Sequence, residues 1–394
     1  MIDSICVITP GYPSKEKPYA YTFVDQLVCA IADKGVEVSV VTPYDMLKAK
    51  STGDRFWERD TLSGNKVKVY SPGALALTTR KIGPINFSLL SERLFRRAVQ
   101  RTIKKNQIHS DVLYAHFLFP AGICAVDIGG RMKLPSVCAF GESSLWSIRE
   151  IGLDRARKQL DKLTGMVAVS TNNKNVLIKN RLVAPEKITV IPNAVNKEIF
   201  CPGDKKAARV KLGLPLDRFI GIYNGAFTKA KGSLRVEEAA RGIDSLSMVY
   251  LGGGQDEPQG GNILFKGRVA HEDVPVWLQA ADFFVLPTLE EGCCNAVVEA
   301  MSVGLPVITS DKPFNYDILD QESAHLVDPM NVEEIHVAMQ ELAGSEVQRK
   351  KLSEASLRRS ADLDIKIRAE KVLDFLKSAK QNYQGGKDGR IHFV

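Results

Sequence analysis

The sequence predicts an α/β protein made of two doubly wound, Rossmann-like domains. Three observations point there. Short, wholly apolar stretches alternate with stretches of helical periodicity, and such apolar runs suit parallel strands buried on both faces. The alternation breaks after residue 191 and resumes at 219; residues 193–203, with Pro192 ahead and Pro202-Gly203 at the close, form a candidate hinge. The chain has 394 residues, room for two or three domains.

The elements follow in order. Residues 5–9 are a short apolar strand that stops at Pro10-Gly11. Phe23, Leu27, Ala30 and Ile31 fall at helical spacing, and Lys34-Gly35 closes that helix, since glycine tolerates the left-handed conformation that ends helices. Residues 36–41 make the next strand and complete a β-α-β unit. Further strands are expected at 111–115, 136–140, 165–169 and 188–191. The second series has strands at 219–223, 247–251, 263–265, 282–286 and 306–309, then helices at 331–343 and 363–379. The tail from Gly385 reads as flexible. Ligands of such folds bind at the carboxyl ends of the strands, so a cleft between two facing domains is expected.

Composition narrows the function classes. Hydrophobic residues make up 44% and charged residues 25%, ordinary globular usage. Seven cysteines, an odd number with no Cys-x-x-Cys pair, argue against a disulfide framework or a zinc site and for reduced thiols in a cytosolic setting. The start, Met1-Ile2-Asp3-Ser4, is a poor secretion signal, and no run of about 18 apolar residues suggests a membrane span. Residues 1–200 hold 29 Lys and Arg against 18 Asp and Glu, whereas residues 201–394 hold 24 against 28. The first half therefore suits an anionic partner. Nucleic acid is not expected, because no basic patch is interleaved with aromatics and no helix-turn-helix or zinc-finger spacing occurs.

Residues 287–301 carry the most chemistry: Pro-Thr-Leu-Glu-Glu-Gly-Cys-Cys-Asn-Ala-Val-Val-Glu-Ala-Met. A strand ends at Leu286, a loop delivers Glu290 and Glu291, and a helix starts near Asn295. Gly292 lets backbone approach a ligand, and the amides near Cys293, Cys294 and Asn295 can bind phosphate. Glu299 lies about one turn into the helix, where a carboxylate can accept from paired sugar hydroxyls. Two glutamates eight apart are common, and solvated loop and helix-surface acids would look the same. The surroundings decide: the segment, with Glu299-Ala300-Met301-Ser302-Val303-Gly304-Leu305-Pro306-Val307-Ile308 after it, resembles the Glu-x7-Glu motif of glycosyltransferase family 4. The stretches 187–196 and 265–287 are also similar to that family, so the resemblance covers nearly the whole chain.

The resemblance implies a GT-B fold and sugar transfer from a nucleotide-sugar, with retention of configuration and no required metal; UDP is placed ahead of GDP, and no residue decides between the two bases. It implies an acceptor-side domain at 1–200, a nucleotide-sugar-binding domain at 201–362, and a helix and tail at 363–394 packing back on the first. A glycan or lipid-linked glycan acceptor in cell-surface polysaccharide synthesis would fit. Glu291 would meet the donor sugar hydroxyls and Glu299 the ribose. Lys231, in the loop 225–232, would neutralise the leaving diphosphate. Ala226 stands where the family usually has arginine, a departure that Lys229 or a group of the first domain would offset. The turn around Gly253 and the residues Lys266 and Arg268 would lie near the nucleotide. His116 matches the family's active-site histidine. Glu142, Lys17 and Tyr19 are acceptor-side candidates.

The lone Asp-x-Asp, at 362–364, follows no strand, which disfavours a metal-dependent alternative; no metal site and no cofactor are expected. From Ser91 onward a helix carries Leu94, Phe95, Ala98, Val99 and Ile103 on one face and Arg93, Arg97, Arg101 and Lys105 on another. Over 91–105 it could lie on the anionic inner face of a membrane or simply be a solvated basic helix. Two other readings fit the same residues: a nucleotide-sugar epimerase, and an inactive nucleotide-sugar-binding scaffold.

Overall fold

The computed structural model describes residues 1–18, 20–47, 55–77, 81–82 and 85–385. The chain forms two compact units: Met1–Ile191 together with the chain from Lys366, and Pro192–Ile365.

In the first unit the strands are β1 (Ser4–Ile8), β2 (Glu37–Val41), β3 (Phe56–Asp60), β4 (Lys66–Tyr70), β5 (Val112–His116), β6 (Ser136–Phe140), β7 (Gly165–Ala168) and β8 (Ile188–Val190). Their order is β8-β7-β6-β5-β1-β2-β4-β3, parallel except for the antiparallel edge strand β3. Helices α1 (Thr22–Ala32), α2 (Phe87–Lys105), α3 (Ile123–Met132), α4 (Trp146–Ile151), α5 (Leu153–Leu160) and α6 (Thr171–Lys179) connect them. The central strands are buried past their first residues because their side chains are apolar on both faces, as Cys6, Val7, Ile8, Val38 and Val40 show. Gly35 adopts φ +82° just past α1. The pair β3–β4 is absent from the sequence reading. Its edge position explains why: in β4, Val67 and Val69 are buried but Lys66 is exposed, and β3 is mostly exposed. Helix α2 starts at Phe87, four residues earlier than expected, because the Asn86 side chain accepts from the Ser88 and Leu89 amides.

The second unit starts with α7 (Lys205–Leu212) and continues with β9 (Phe219–Asn224), α8 (Ser233–Ala239), β10 (Leu246–Leu251), β11 (Ile263–Gly267), α9 (Val274–Ala280), β12 (Phe283–Leu286), α10 (Asn295–Val303), β13 (Val307–Ser310), β14 (His325–Val327), α11 (Val332–Gly344) and α12 (Glu346–Arg359). The sheet order is β11-β10-β9-β12-β13-β14, all parallel. The order reverses between β9 and β12, so their carboxyl ends open a crevice at residues 225 and 287. Residues 193–203, read as a hinge, pack into this unit: Val195 donates its amide to the Leu363 carbonyl at 3.1 Å, and Phe200 is fully buried. Helix α12 escapes the sequence reading because it buries only Leu352, Ala355 and Ser356, too few for a clear period.

The last helix, α13 (Ile365–Gly385), belongs to the first unit from Lys366 on. Phe375 lies against Gly165, where a Cβ would come within 2.8 Å of its ring. Lys380 pairs with Asp111 at 2.6 Å, and Lys34 pairs with Glu370. All seven cysteines are free.

Candidate active site

The switch point of the second unit brings two loops together. One runs from β9 to α8, the other from β12 to α10. They are joined at three places. Leu289 donates its amide to the Ala230 carbonyl at 2.8 Å. Arg235, on α8, donates Nη1 to the Lys229 carbonyl at 2.7 Å and Nη2 to the Pro287 carbonyl at 2.8 Å. Between these ties Lys231 forms an ion pair with Glu291. Lys229 is exposed, and only its carbonyl has a described partner. Ala226 is exposed as well, and its carbonyl accepts from the Tyr223 hydroxyl at 2.8 Å.

Glu299 sits five residues into α10 and is 6% exposed. A buried carboxylate needs partners, and two are present. His271 Nε2 lies 3.1 Å from Glu299 Oε1, and Asn224 donates Nδ2 to Oε2 at 3.4 Å. Burial alone would lower the His271 pKa, but the hydrogen bond to Glu299 and its charge hold it above the ordinary value. The Phe200 ring lies 5.5 Å from His271. Neither His271 nor Asn224 belongs to a motif of the sequence, although Asn224 ends a strand at the switch point, which is a usable signal. His271 carries none, because its carboxylate partner is 28 residues away.

Gly292, Cys293 and Cys294 are buried, and Asn193 donates Nδ2 to the Cys293 carbonyl at 3.2 Å. Burial and the nearby Glu291 charge hold the Cys294 thiol far above its ordinary pKa, so it is no nucleophile at neutral pH. Helix α10 has no side-chain cap hydrogen bond, and the side-chain oxygen of Asn295 is buried without a described partner. Such a helix start favours negative charge.

The glycine-rich turn after β10 packs against the first loop. A Cβ on Gly252, which has φ +151°, would fall 1.9 Å from the Gly225 carbonyl oxygen. Gly253 accepts from the Phe227 amide at 3.1 Å, and exposed Arg268 lies across it. Lys266 turns elsewhere: its ammonium meets Glu257 and the Pro258 carbonyl, each at 2.9 Å. The structure thus gathers Lys231, Glu291 and Glu299 around the two loops, with Gly253 on the adjoining turn and Arg268, just past β11, lying across it, and holds the Lys266 side chain to residues 257–259.

The first unit carries its own candidates. His116 ends β5, is 4% exposed and lies edge-on to Tyr114, with ring centres 4.9 Å apart. Burial, helped by the Arg368 charge, lowers its pKa to about 3, so the ring is neutral; its Nε2 has no described partner. Glu142 follows β6. Its carboxylate accepts from the Leu118 amide at 2.7 Å and the Gly141 amide at 3.2 Å, and burial outweighs these bonds to raise its pKa to about 7. Lys17 is exposed in a turn closed by the Ser14 and Lys17 backbones. Tyr19 lies outside the described residues.

One expectation needs correction. The apolar face of α2 is not available to a lipid surface, because Phe95, Val99 and Ile103 are buried in the core of the first unit. What remains outside is a stripe of exposed Arg93, Arg97, Arg101, Lys104 and Lys105. No described helix is long and apolar enough to cross a membrane. Among the described residues no three His, Cys, Asp or Glu converge as a metal site.

The comparisons agree with this architecture. Residues 20–199 match the family described as Glycosyltransferase Family 4, and residues 221–345 match Glycosyl transferases group 1. Over 95% of this chain and 98% of the other, the fold is similar to a sucrose-phosphate synthase from Thermosynechococcus elongatus, with TM-score 0.76 and 18% identity. It is also similar to Anabaena HepE in complex with UDP-glucose, with TM-score 0.71, 14% identity, and 96% and 100% of the two chains covered. The protein is a glycosyltransferase enzyme of the GT-B fold, with two Rossmann-like domains. In sequence it is 26% identical, over 77% of this chain and 80% of the relative, to TuaC of Bacillus subtilis (strain 168), whose name assigns it as a glycosyltransferase to teichuronic acid biosynthesis. It is 34% identical, over 38% and 43% of the two chains, to an Escherichia coli UDP-Gal:alpha-D-GlcNAc-diphosphoundecaprenol alpha-1,3-galactosyltransferase. Its first unit is thus matched by family 4 and its second by Glycosyl transferases group 1, both of them glycosyltransferase families.

Proposed function

We propose that this enzyme moves a hexose from a UDP-sugar to a glycan or lipid-linked glycan during cell-surface polysaccharide synthesis, retaining configuration and using no metal. The observation that carries this reading is the constellation at the β9–β12 switch point: Lys231 and Glu291 facing each other across joined loops, with buried Glu299 oriented by His271 and Asn224. UDP is favoured over GDP because a curated relative's name specifies UDP-Gal and a solved structure of this fold holds UDP-glucose.

In this reading Lys231 and the start of α10 take the donor diphosphate, Glu291 takes sugar hydroxyls and Glu299 the ribose. The acceptor hydroxyl attacks the anomeric carbon on the face from which the diphosphate leaves. The carbon–phosphate oxygen bond breaks as the new glycosidic bond forms, and the hydroxyl proton passes to the departing diphosphate. Developing negative charge on that group is stabilised by Lys231, already in place before the reaction. No carboxylate is assigned as a covalent nucleophile. The first unit takes the acceptor, with Glu142 on that side, and its His116 acts catalytically near the donor sugar. The exposed basic stripe of α2 would hold the enzyme at an anionic membrane surface by charge alone, each residue contributing about 1 kcal/mol near the surface.

Thermal melts with UDP-, GDP- and ADP-sugars test the reading. A ligand at 100 times its Kd adds about 2.7 kcal/mol of stability. Stabilisation by UDP-sugars that disappears in Glu299→Ala and Lys231→Ala is expected, together with loss of transfer. Ala226, where the family pattern has arginine, favours a second reading, a sugar-nucleotide-binding protein without transfer. That reading stands if donors bind and no acceptor panel yields product.

A further inference from the structure

Lys231 and Glu291 are the two side chains assigned to neighbouring parts of the donor, the diphosphate and the sugar, yet each is the other's partner. The pair is not a chance meeting of mobile surface groups. Their side chains are only 27% and 16% exposed. Their loops are held in register by the Leu289–Ala230 backbone bond and by Arg235, which binds a carbonyl from each loop. A diphosphate that draws Lys231 away therefore strands a part-buried carboxylate beside new negative charge, which is costly. A diphosphate bearing a sugar does not, because the hydroxyls supply donors to Glu291.

Resting on the proposed transferase reading, we propose that the Lys231–Glu291 pair is a selector: it admits the intact nucleotide-sugar and disfavours the nucleotide diphosphate left after transfer. Once the sugar has gone, Glu291 has no hydroxyls to bind and recaptures Lys231. The carboxylate needed to hold the sugar thus also helps to release the product. Glu291 is then a specificity-determining residue for donor against product.

Isothermal titration with UDP, using the full chain, tests this. Glu291→Gln should bind UDP roughly tenfold more tightly than the unaltered protein, because the lysine is released from its competitor. Exposed Glu290→Gln, which removes one charge from the same loop but breaks no pair with Lys231, should leave UDP affinity unchanged. Equal or weaker UDP binding by Glu291→Gln overturns the selector, as does an equal gain in both variants, which would report only the general field. If Glu291→Gln does not fold, Glu291→Asp serves: it keeps the charge but is one methylene too short, and unchanged UDP affinity would overturn the idea. Failure of the unaltered protein to bind UDP or any UDP-sugar would instead sink the transferase reading beneath it.

Discussion

Beyond the strand ends of the second unit the polar side chains are paired with one another: Lys231 with Glu291, and His271 with Glu299. At the strand ends of the first, His116 is buried neutral and Glu142 has only backbone amides to face it. The difference is one of desolvation. Paired ions keep their charge under burial, while unpaired groups shift towards neutrality. The second unit thus sets paired side chains around its switch point, while the first sets a neutral histidine and a carboxyl of raised pKa at its strand ends.

The largest effect expected is in the second unit. Lys231→Ala should lower kcat/KM by about 10²–10³, the usual cost of one donor to a developing oxyanion, as read in a transfer assay. A drop of less than threefold would remove Lys231 from the donor site.

Next is packing. Gly252→Ala places a methyl group 1.9 Å from the Gly225 carbonyl at a φ that side chains rarely adopt. It should cost about 3 kcal/mol and lower the melting temperature. Loss of donor binding with an unchanged melt would mean that the turn acts on the ligand rather than on the fold.

The first unit makes an acid–base prediction. Glu142 has a folded pKa of about 7, above its unfolded value near 4.5, so its burial is unfavourable only when it is ionised. Its contribution falls as pH rises from about 4.5 to 7, by up to roughly 3 kcal/mol. His116 has a folded pKa of about 3 against 6.5, so its contribution is complete above pH 6.5 and is lost as pH falls towards 3. The two slopes oppose each other between about 4.5 and 6.5. Glu142→Gln should leave the histidine slope alone, making the melting temperature drop on acidification through that window, and should stabilise the protein at pH 8. A Glu142→Gln profile parallel to that of the unaltered protein would show that Glu142 does not titrate there.

The smallest stability effect is expected on α2. Arg93→Glu with Arg97→Glu should change stability by less than about 0.5 kcal/mol, since both are exposed. The same pair should abolish salt-sensitive binding to anionic vesicles; unchanged binding would detach the stripe from the membrane.

Much of this was legible in the chain itself. The apolar strands, the glycine closing α1 and the loop 287–295 declared themselves through residue type and spacing, because local conformation and two-sided burial depend on neighbours in sequence. The edge pair β3–β4 was not, since edge strands carry mixed polarity, nor was α12, which buries too little to show a period.

By itself the sequence determined the α/β class, the strand–loop–helix around Glu291 and Glu299, and the basic first half. Only the tertiary structure decided which groups meet. It set His271 on Glu299 across 28 residues and Lys231 on Glu291 across 60, and it joined their loops through Arg235. It also buried the apolar face of α2, leaving that helix only its charge. The physical reason is that pairing and desolvation act through space: a carboxylate's partner is chosen by strand order at the switch point, which no local pattern encodes.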